Sequence, residues 1–367
     1  MLELKERDGL ARICELSTRH GKVTTPALLP VVNPNQLTIT PREMRDRFKV
    51  DILITNSYII KTDQKLRERA LEGGLHKLLD FDGSIMTDSG TFQSYVYGKV
   101  AVGHKEIVEF QRDIGADIGT ILDVFSEPDW TEEETRAATE ETLRRAEESV
   151  PLKGEMLLAG TVQGGVFPKL RTGCAERLSK MAFDLHPIGG VVPLLEDYRF
   201  SDVADIIIAS KKGLDPSRPV HLFGAGHPMV FPFAVLLGCD LFDSASYAKY
   251  AREERLMYPT GTKFLRDLHD LACDCPACSS TSVKELLAMS PSERTKRIAE
   301  HNLFTSLKEL RKVKNAIHEG SIWEMVEMRA RAHPALLAVL KVLKKHEDYL
   351  QGFEPASRRG AFFYCGP

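Results

Sequence analysis

Two short apolar runs in this chain end in the same way. Ser84-Ile85-Met86-Thr87 leads into Asp88-Ser89-Gly90, and Leu241-Phe242 leads into Asp243-Ser244. A strand-length apolar run that stops at a carboxylate and small turn residues delivers an acid to the tip of a buried strand. One such acid is ordinary turn chemistry. Two acids brought to one place can flank a C–N or C–O bond at an anomeric carbon. One then attacks the sugar carbon to give a covalent intermediate, and the other carries the leaving group's proton. Asp123 and Gln163 end two further runs and offer acceptor and donor edges suited to the Watson–Crick face of a purine. Phe92, just past Gly90, is placed either to stack on a base or to fill the core behind the strand. The remaining run ends are glycine-rich, at Gly164-Gly165, Gly189-Gly190 and Gly224-Ala225-Gly226, so a heterocycle or phosphate can approach backbone N–H groups.

A second constellation has metal-ligand spacing. Cys273-Asp274-Cys275-Pro276-Ala277-Cys278 presents three thiols tightly enough to converge on one ion, and zinc favours four tetrahedral N or S ligands in a closed structural site. For the fourth ligand, spacing leaves two candidates, His301 inside a helical pattern and His269 one turn before Cys273. The other cysteines, Cys14, Cys174, Cys239 and Cys365, are scattered, which is no disulfide framework and fits a reducing compartment.

The elements that must position these residues repeat with a regular rhythm. Strand patterns occur at 27–32, 51–60, 84–88, 118–125, 156–163, 188–192, 220–224 and 240–244, after a hairpin-like lead-in over 1–25. Helical patterns lie between them at 41–48, 63–79, 104–114, 131–149, 167–185, 199–213 and 227–238. Eight nearly continuous apolar strands alternating with helices predict a parallel sheet covered on both faces, and eight such units fit a closed (β/α)8 TIM-type barrel. In that fold the C-terminal strand ends converge on one mouth, which would gather Asp88, Asp123, Gln163 and Asp243. No Gly-x-Gly-x-x-Gly or P-loop follows the first strand. Beyond residue 260 the three cysteines are followed by long helical patterns over 291–316 and 319–349.

At 367 residues, 43% hydrophobic and 28% charged, the chain suits one barrel plus an appendage. No apolar run approaches the roughly 18 residues of a membrane span, and the charged, alternating start is no signal peptide, so a cytoplasmic location is expected. The formal charge of −3 selects no partner. The last third is mildly basic, with Lys308, Arg311, Lys312 and Lys314 on one helical pattern, which permits nucleic-acid contact without requiring it.

Taken together, these runs resemble the tRNA-guanine transglycosylases, and within them the archaeal branch. The resemblance rests on Thr87–Gln93, Ile121-Leu122-Asp123, Val162-Gln163-Gly164, Pro187–Pro193, Leu241–Tyr247 and the Cys-x-Cys-x-x-Cys…His set, in family order and over almost the whole chain. It implies that Asp243 is the nucleophile at C1′ and Asp88 the general acid/base. It also implies that Asp123, Gln163, Phe92, Gly190, Val191 and Val192 hold the base. The zinc ligands it implies are Cys273, Cys275, Cys278 and His301, which selects His301 over His269. The reaction implied is exchange of guanine in tRNA for 7-cyano-7-deazaguanine at position 15, with structural Zn2+ and a homodimer. The target nucleotide would have to be extruded from its stack to reach a barrel mouth.

The resemblance divides the chain into a catalytic barrel with its lead-in (1–260), a zinc-binding and helical segment closing the barrel (261–350) and a tail (351–367). That tail resembles a junction into further modules ending in a PUA domain, expected either as a separate subunit or as a part cut away. Three positions depart from the family pattern near the base pocket, Thr91, Ser126 and Glu127. Three other readings compete: a relative acting on DNA, one acting at the anticodon with another deazaguanine, and a non-catalytic tRNA-binding subunit. The presence of both Asp88 and Asp243 argues against the last.

Overall fold

A computed structural model describes residues 2–91 and 102–354. The lead-in is a three-stranded antiparallel sheet of β1 (Leu2–Asp8), β2 (Ala11–Thr18) and β3 (Gly21–Thr25). Eight parallel strands follow: β4 (Ala27–Val32), β5 (Ile52–Asn56), β6 (Ser84–Asp88), β7 (Ile118–Thr120), β8 (Leu157–Ala159), β9 (His186–Ile188), β10 (Val220–Leu222) and β11 (Leu241–Ser244). Each but β8 pairs with its successor, and β11 returns to β4 with Leu241 opposite Ala27 and Ser244 opposite Pro30. Between β8 and β9 the ladder continues as Gly160 N–H to Leu185 O (3.1 Å), Val162 N–H to Pro187 O (2.7 Å) and Gly189 N–H to Val162 O (3.1 Å). The sheet is therefore a closed TIM-like barrel wrapped by helices, as the strand rhythm predicts.

The pleat sorts the apolar side chains into two cores. Leu29, Ile52, Ile54, Met86, Ile118, Ala159, Leu185 and Leu241 fill the interior, while Leu53, Ile85, Leu158, Val220 and Leu222 join the larger core beneath the helices. Leu16 of β2 and Val23 of β3 belong to the interior cluster, so the lead-in sheet plugs the N-terminal end, here the foot. Two buried carboxylates fasten that plug. The Arg12 guanidinium donates from Nε to Asp240 Oδ1 (2.7 Å) and from Nη2 to Oδ2 (2.8 Å). On the far side His20 and His76 converge on Asp117.

Several elements are shorter than their patterns. The run at 51–60 stops at Asn56, whose side-chain oxygen accepts Ile59 N–H (2.8 Å) and caps the helix Ser57–Thr62. The pattern at 63–79 breaks at Gly74, where φ is +80°. The run at 188–192 becomes the strand His186–Ile188, because Gly190 (φ +73°) turns the chain and Val192-Pro193 opens a helix. The helical pattern at 319–349 is three helices, Ile322–Ala330, Pro334–Lys345 and Glu347–Gln351, since Pro334 cannot donate within a helix and must stand at a start.

The helix Pro291–Glu319 runs the height of the barrel, opened by a Ser290/Glu293 capping box and closed by left-handed Gly320. Ser306 Oγ donates to Gly226 O at the mouth (3.2 Å), and Lys314 Nζ donates to Thr24 O at the foot (3.2 Å). The hairpin β12 (Arg255–Tyr258) and β13 (Gly261–Phe264) packs on it through Asn302, which accepts Met257 N–H (2.7 Å) and donates to Arg255 O (3.1 Å). Among the described residues no helix is long and apolar enough to cross a membrane.

Candidate active site and metal centre

Asp88 ends β6 beside Asn56, its register partner at the end of β5. Because the Asn56 oxygen is taken by its own helix cap, the amide nitrogen is turned to Asp88 Oδ1, at 2.6 Å. The Gly90 N–H donates to the same oxygen at 2.9 Å. That turn requires glycine, because φ is +94° and a Cβ would lie 2.6 Å from Tyr58 Cβ. Oδ2 has no donor among the described residues. Burial, assisted by the charges on Asp243 and Asp123, pushes the Asp88 carboxyl up to about 7 against the two hydrogen bonds that favour its anion.

Asp243, at the end of β11, is held in a matching way. His221 Nε2 and the Gly224 N–H both donate to Oδ1 at 2.9 Å, and Oδ2 has no donor among the described residues. His221 lies on β10 opposite Leu241 and is fully buried, with Phe223 edge-on to its ring at 4.7 Å. Its polar side chain shares the inward parity of Phe223 within an apolar strand. That parity is the signal that could have singled it out, and the motif reading missed it. Gly224 in turn packs on Val192, whose Cγ2 would be 2.3 Å from a Cβ at that glycine.

Between these two acids sits a buried polar cluster. Asp123 accepts from Thr91 Oγ1 at Oδ1 (2.7 Å) and from Gln163 Nε2 at Oδ2 (2.6 Å), and burial raises its carboxyl above the usual range. The Gln163 oxygen has no partner among the described residues. Gly190 lies against it, with room for no side chain: a Cβ would stand 3.1 Å from Gln163 Oε1 and 3.3 Å from Arg171 Nη2. Val191 is buried beside it.

Arg171, also missed from sequence, is fully buried in the helix Pro168–Ser179. It donates from Nε to Gly165 O (2.8 Å) and from Nη1 to Val162 O (2.9 Å) and Gly189 O (2.8 Å). Burial lowers its guanidinium to about 10.

The barrel thus brings Asp88, Asp123, Gln163, Gly190, Val191, Val192 and Asp243 to one mouth. Phe92 lies outside the described residues. The basic pattern on the long helix is directed elsewhere: Lys314 reaches the foot, and Arg311 lines a cavity there with Val23, Ile52 and Lys314.

Cys273, Cys275, Cys278 and His301 place their ligand atoms within 4.8 Å of one another, and His269 takes no part. His301 Nδ1 stands 3.2 Å from Cys278 Sγ and 3.7 Å from Cys275 Sγ. Its Nε2 is 3.0 Å from Met257 O, so that nitrogen carries the proton and the Nδ1 lone pair faces the thiols. The four could hold a metal ion, and three sulfurs with one imidazole nitrogen are compatible with structural zinc.

The chain is similar to proteins named tRNA-guanine(15) transglycosylase. One from Pyrococcus furiosus is 53% identical over 361 residues, 98% of this chain and 61% of the relative. One from Methanothermobacter thermautotrophicus is 48% identical over 367 residues, 100% of this chain and 56% of the relative. One from Methanosarcina acetivorans is 49% identical over 370 residues, 100% of this chain and 74% of the relative. The chain therefore spans about three fifths of the length of the first of these. A family model described as queuine tRNA-ribosyltransferase matches residues 7–335, and the chain belongs to that family.

Proposed function

We propose that this chain exchanges a guanine base in tRNA for a deazaguanine by double displacement. The observation that carries this reading is the pair Asp88 and Asp243: two acids at one mouth, each anchored through Oδ1, with no donor on Oδ2 among the described residues, and close enough for the charge on one to raise the other. Asp243, whose Oδ1 takes two N–H donors, attacks C1′ of the target nucleoside with Oδ2. A bond to the sugar forms as the bond to guanine breaks. Asp88, poised near neutral pH, gives its proton to the departing base and takes one from the incoming base, which then displaces Asp243 from C1′. One glycosidic bond is made for one broken, so the cycle needs no energy-carrying cofactor.

Asp123 and Gln163 read the base edge, against a floor formed by Gly190 and walls formed by Val191 and Val192. Phe92 stacks on the base. The Gln163 oxygen, buried without a partner, supports this role because a base N–H would satisfy it. The incoming base is 7-cyano-7-deazaguanine and the target is position 15, in keeping with the names of the relatives. Zinc held by Cys273, Cys275, Cys278 and His301 supplies structure only and ties the segment 261–350 to the barrel 1–260. The chain works as a homodimer in the cytoplasm, with a separate PUA-containing subunit as its partner on tRNA.

The test is incubation with labelled 7-cyano-7-deazaguanine and tRNA, followed by mapping of the labelled nucleotide. Label at position 15 that disappears in Asp243→Ala is expected. Label at the anticodon, or incorporation into duplex DNA in preference to tRNA, would transfer the reading to a sister activity. Unchanged exchange by Asp243→Ala would overturn the mechanism. A gel shift with this chain alone tests the need for further modules, since tight D-arm-dependent binding would show that none is required.

A further inference from the structure

We propose that His20, His76 and Asp117 form a second metal site, at the foot of the barrel, which takes one divalent cation of the zinc, cobalt or ferrous class. His20 lies in the turn between β2 and β3, His76 in the helix Leu75–Leu79, and Asp117 immediately before β7. Three segments distant in sequence thus bring one ligand atom each to within 4.8 Å of the others. His20 Nδ1 is 2.9 Å from Asp117 Oδ1, and His76 Nε2 is 3.1 Å from Asp117 Oδ2. Ligand atoms about 2.1 Å from one ion stand about 3 Å apart when they occupy adjacent positions, so both separations match coordination edges. The two rings stack at 3.6 Å, with one nitrogen of each turned to the same carboxylate. Gly83 O, also 3.1 Å from His76 Nε2, accepts from it in the free site, so a bound cation takes the place of the proton on that nitrogen. Two imidazoles and one carboxylate with open positions is a donor set suited to such ions.

Charge argues in the same direction. The Asp117 side chain is fully buried, and its ion-pair partners among the described residues are these two histidines. The other buried acid of the foot, Asp240, has a bidentate guanidinium. A buried carboxylate with neither Lys nor Arg beside it is what a bound cation would compensate. The approach is open, because the His20 side chain is 37% exposed. Asp117 also accepts Ile85 N–H (2.8 Å) and His20 N–H (3.2 Å), so the carboxylate that would orient the ion is itself held by backbone. The ion would rivet the lead-in sheet to the barrel floor. At the end opposite Asp88 and Asp243 its role is structural.

Equilibrium dialysis of the whole chain at a buffered micromolar free Zn2+, with zinc and protein measured together, tests the site independently of tRNA chemistry. Two zinc ions per chain are expected, falling to one in His76→Ala and in His20→Ala. The latter alters an exposed turn and leaves the barrel intact by circular dichroism. The ion that remains is the one held by the cysteines, and cobalt bound in its place shows thiolate-to-metal absorption. One zinc per wild-type chain, or two that persist in both variants, would overturn the proposal and leave the cluster as a hydrogen-bonded latch.

Discussion

At the mouth, Asp88 and Asp243 each receive two donors on a single oxygen and, among the described residues, none on the other, whereas at the foot Asp117 and Asp240 carry donors on both. All four acids sit at or beside an end of a barrel strand. The difference in their surroundings decides their character. Asp88 is raised to about 7 by burial and by neighbouring acids. Asp117, buried as well, is lowered because bonds from His76, Ile85 and His20 outweigh desolvation. The fold uses carboxylates at the foot to secure strands, and at the mouth it leaves them under-satisfied. Under-satisfied acids at a strand's C-terminal end read as chemistry, and saturated ones at the N-terminal end as stability.

The comparison can be broken at either end. The largest effect is expected from Asp243→Ala, which should slow base exchange by at least about 10³-fold in single-turnover assays, as loss of a covalent nucleophile does. Thermal unfolding should be unchanged or improved. Asp88→Asn should cost roughly 10² to 10⁴-fold, the range of a general acid/base. The same variant separates the two ends by stability. The native Asp88 holds its proton up to about 7 and the unfolded chain releases it near 3.8. Its contribution is therefore complete below pH 4 and is lost as pH rises through 7, so Asp88→Asn should raise Tm at pH 8 and change it little at pH 4. Asp117 has the opposite sign: its lowered carboxyl stabilises above its unfolded value and ceases to do so in acid, so Asp117→Asn should lower Tm at pH 7. Equal signs for the two substitutions would dissolve the contrast.

Arg12→Ala should cost about 3–5 kcal/mol in urea unfolding by leaving Asp240 buried and uncompensated, with kcat of the folded protein preserved. The smallest effect should come from Asn56→Ala. It removes a donor that favours the Asp88 anion, so the ionisation of Asp88 seen in the pH–rate profile should move to higher pH.

Much of this was legible in the amino-acid sequence. β4, β6 and the helix Pro41–Phe48 fall where the apolar runs and the helical pattern place them, because local pattern and tertiary burial agree there. The three clustered cysteines stand out by spacing and the acids at the mouth by residue type at element ends, whereas spacing left His301 and His269 open and the family resemblance chose between them. What stayed hidden depends on adjacency between strands distant in sequence. His221 meets Asp243 because parallel register sets it beside Leu241, and its inward parity, the one local signal, does not say which acid it would meet. Arg171 lies on a helix with three carbonyl partners on two other segments. His20, His76 and Asp117 come together only once the lead-in sheet folds under the barrel. Strand ends were overextended for a related reason: glycine and proline at the mouth release the chain from the ladder before its apolar pattern ends.

Arg171 has a consequence for recognition itself. The segments at Val162, Gly165 and Gly189 are glycine-rich and, left alone, would have many conformations to lose on meeting a ligand. One guanidinium, bonded to a carbonyl in each, makes them a single rigid body before any ligand arrives. The entropic penalty of shaping the cleft is then met once, during folding, rather than at every encounter. Lysine could not substitute, since an ammonium lacks the planar fork that spans three acceptors. In the proposed reaction, discrimination between closely related purines would then rest on a cleft already shaped in the folded apoprotein.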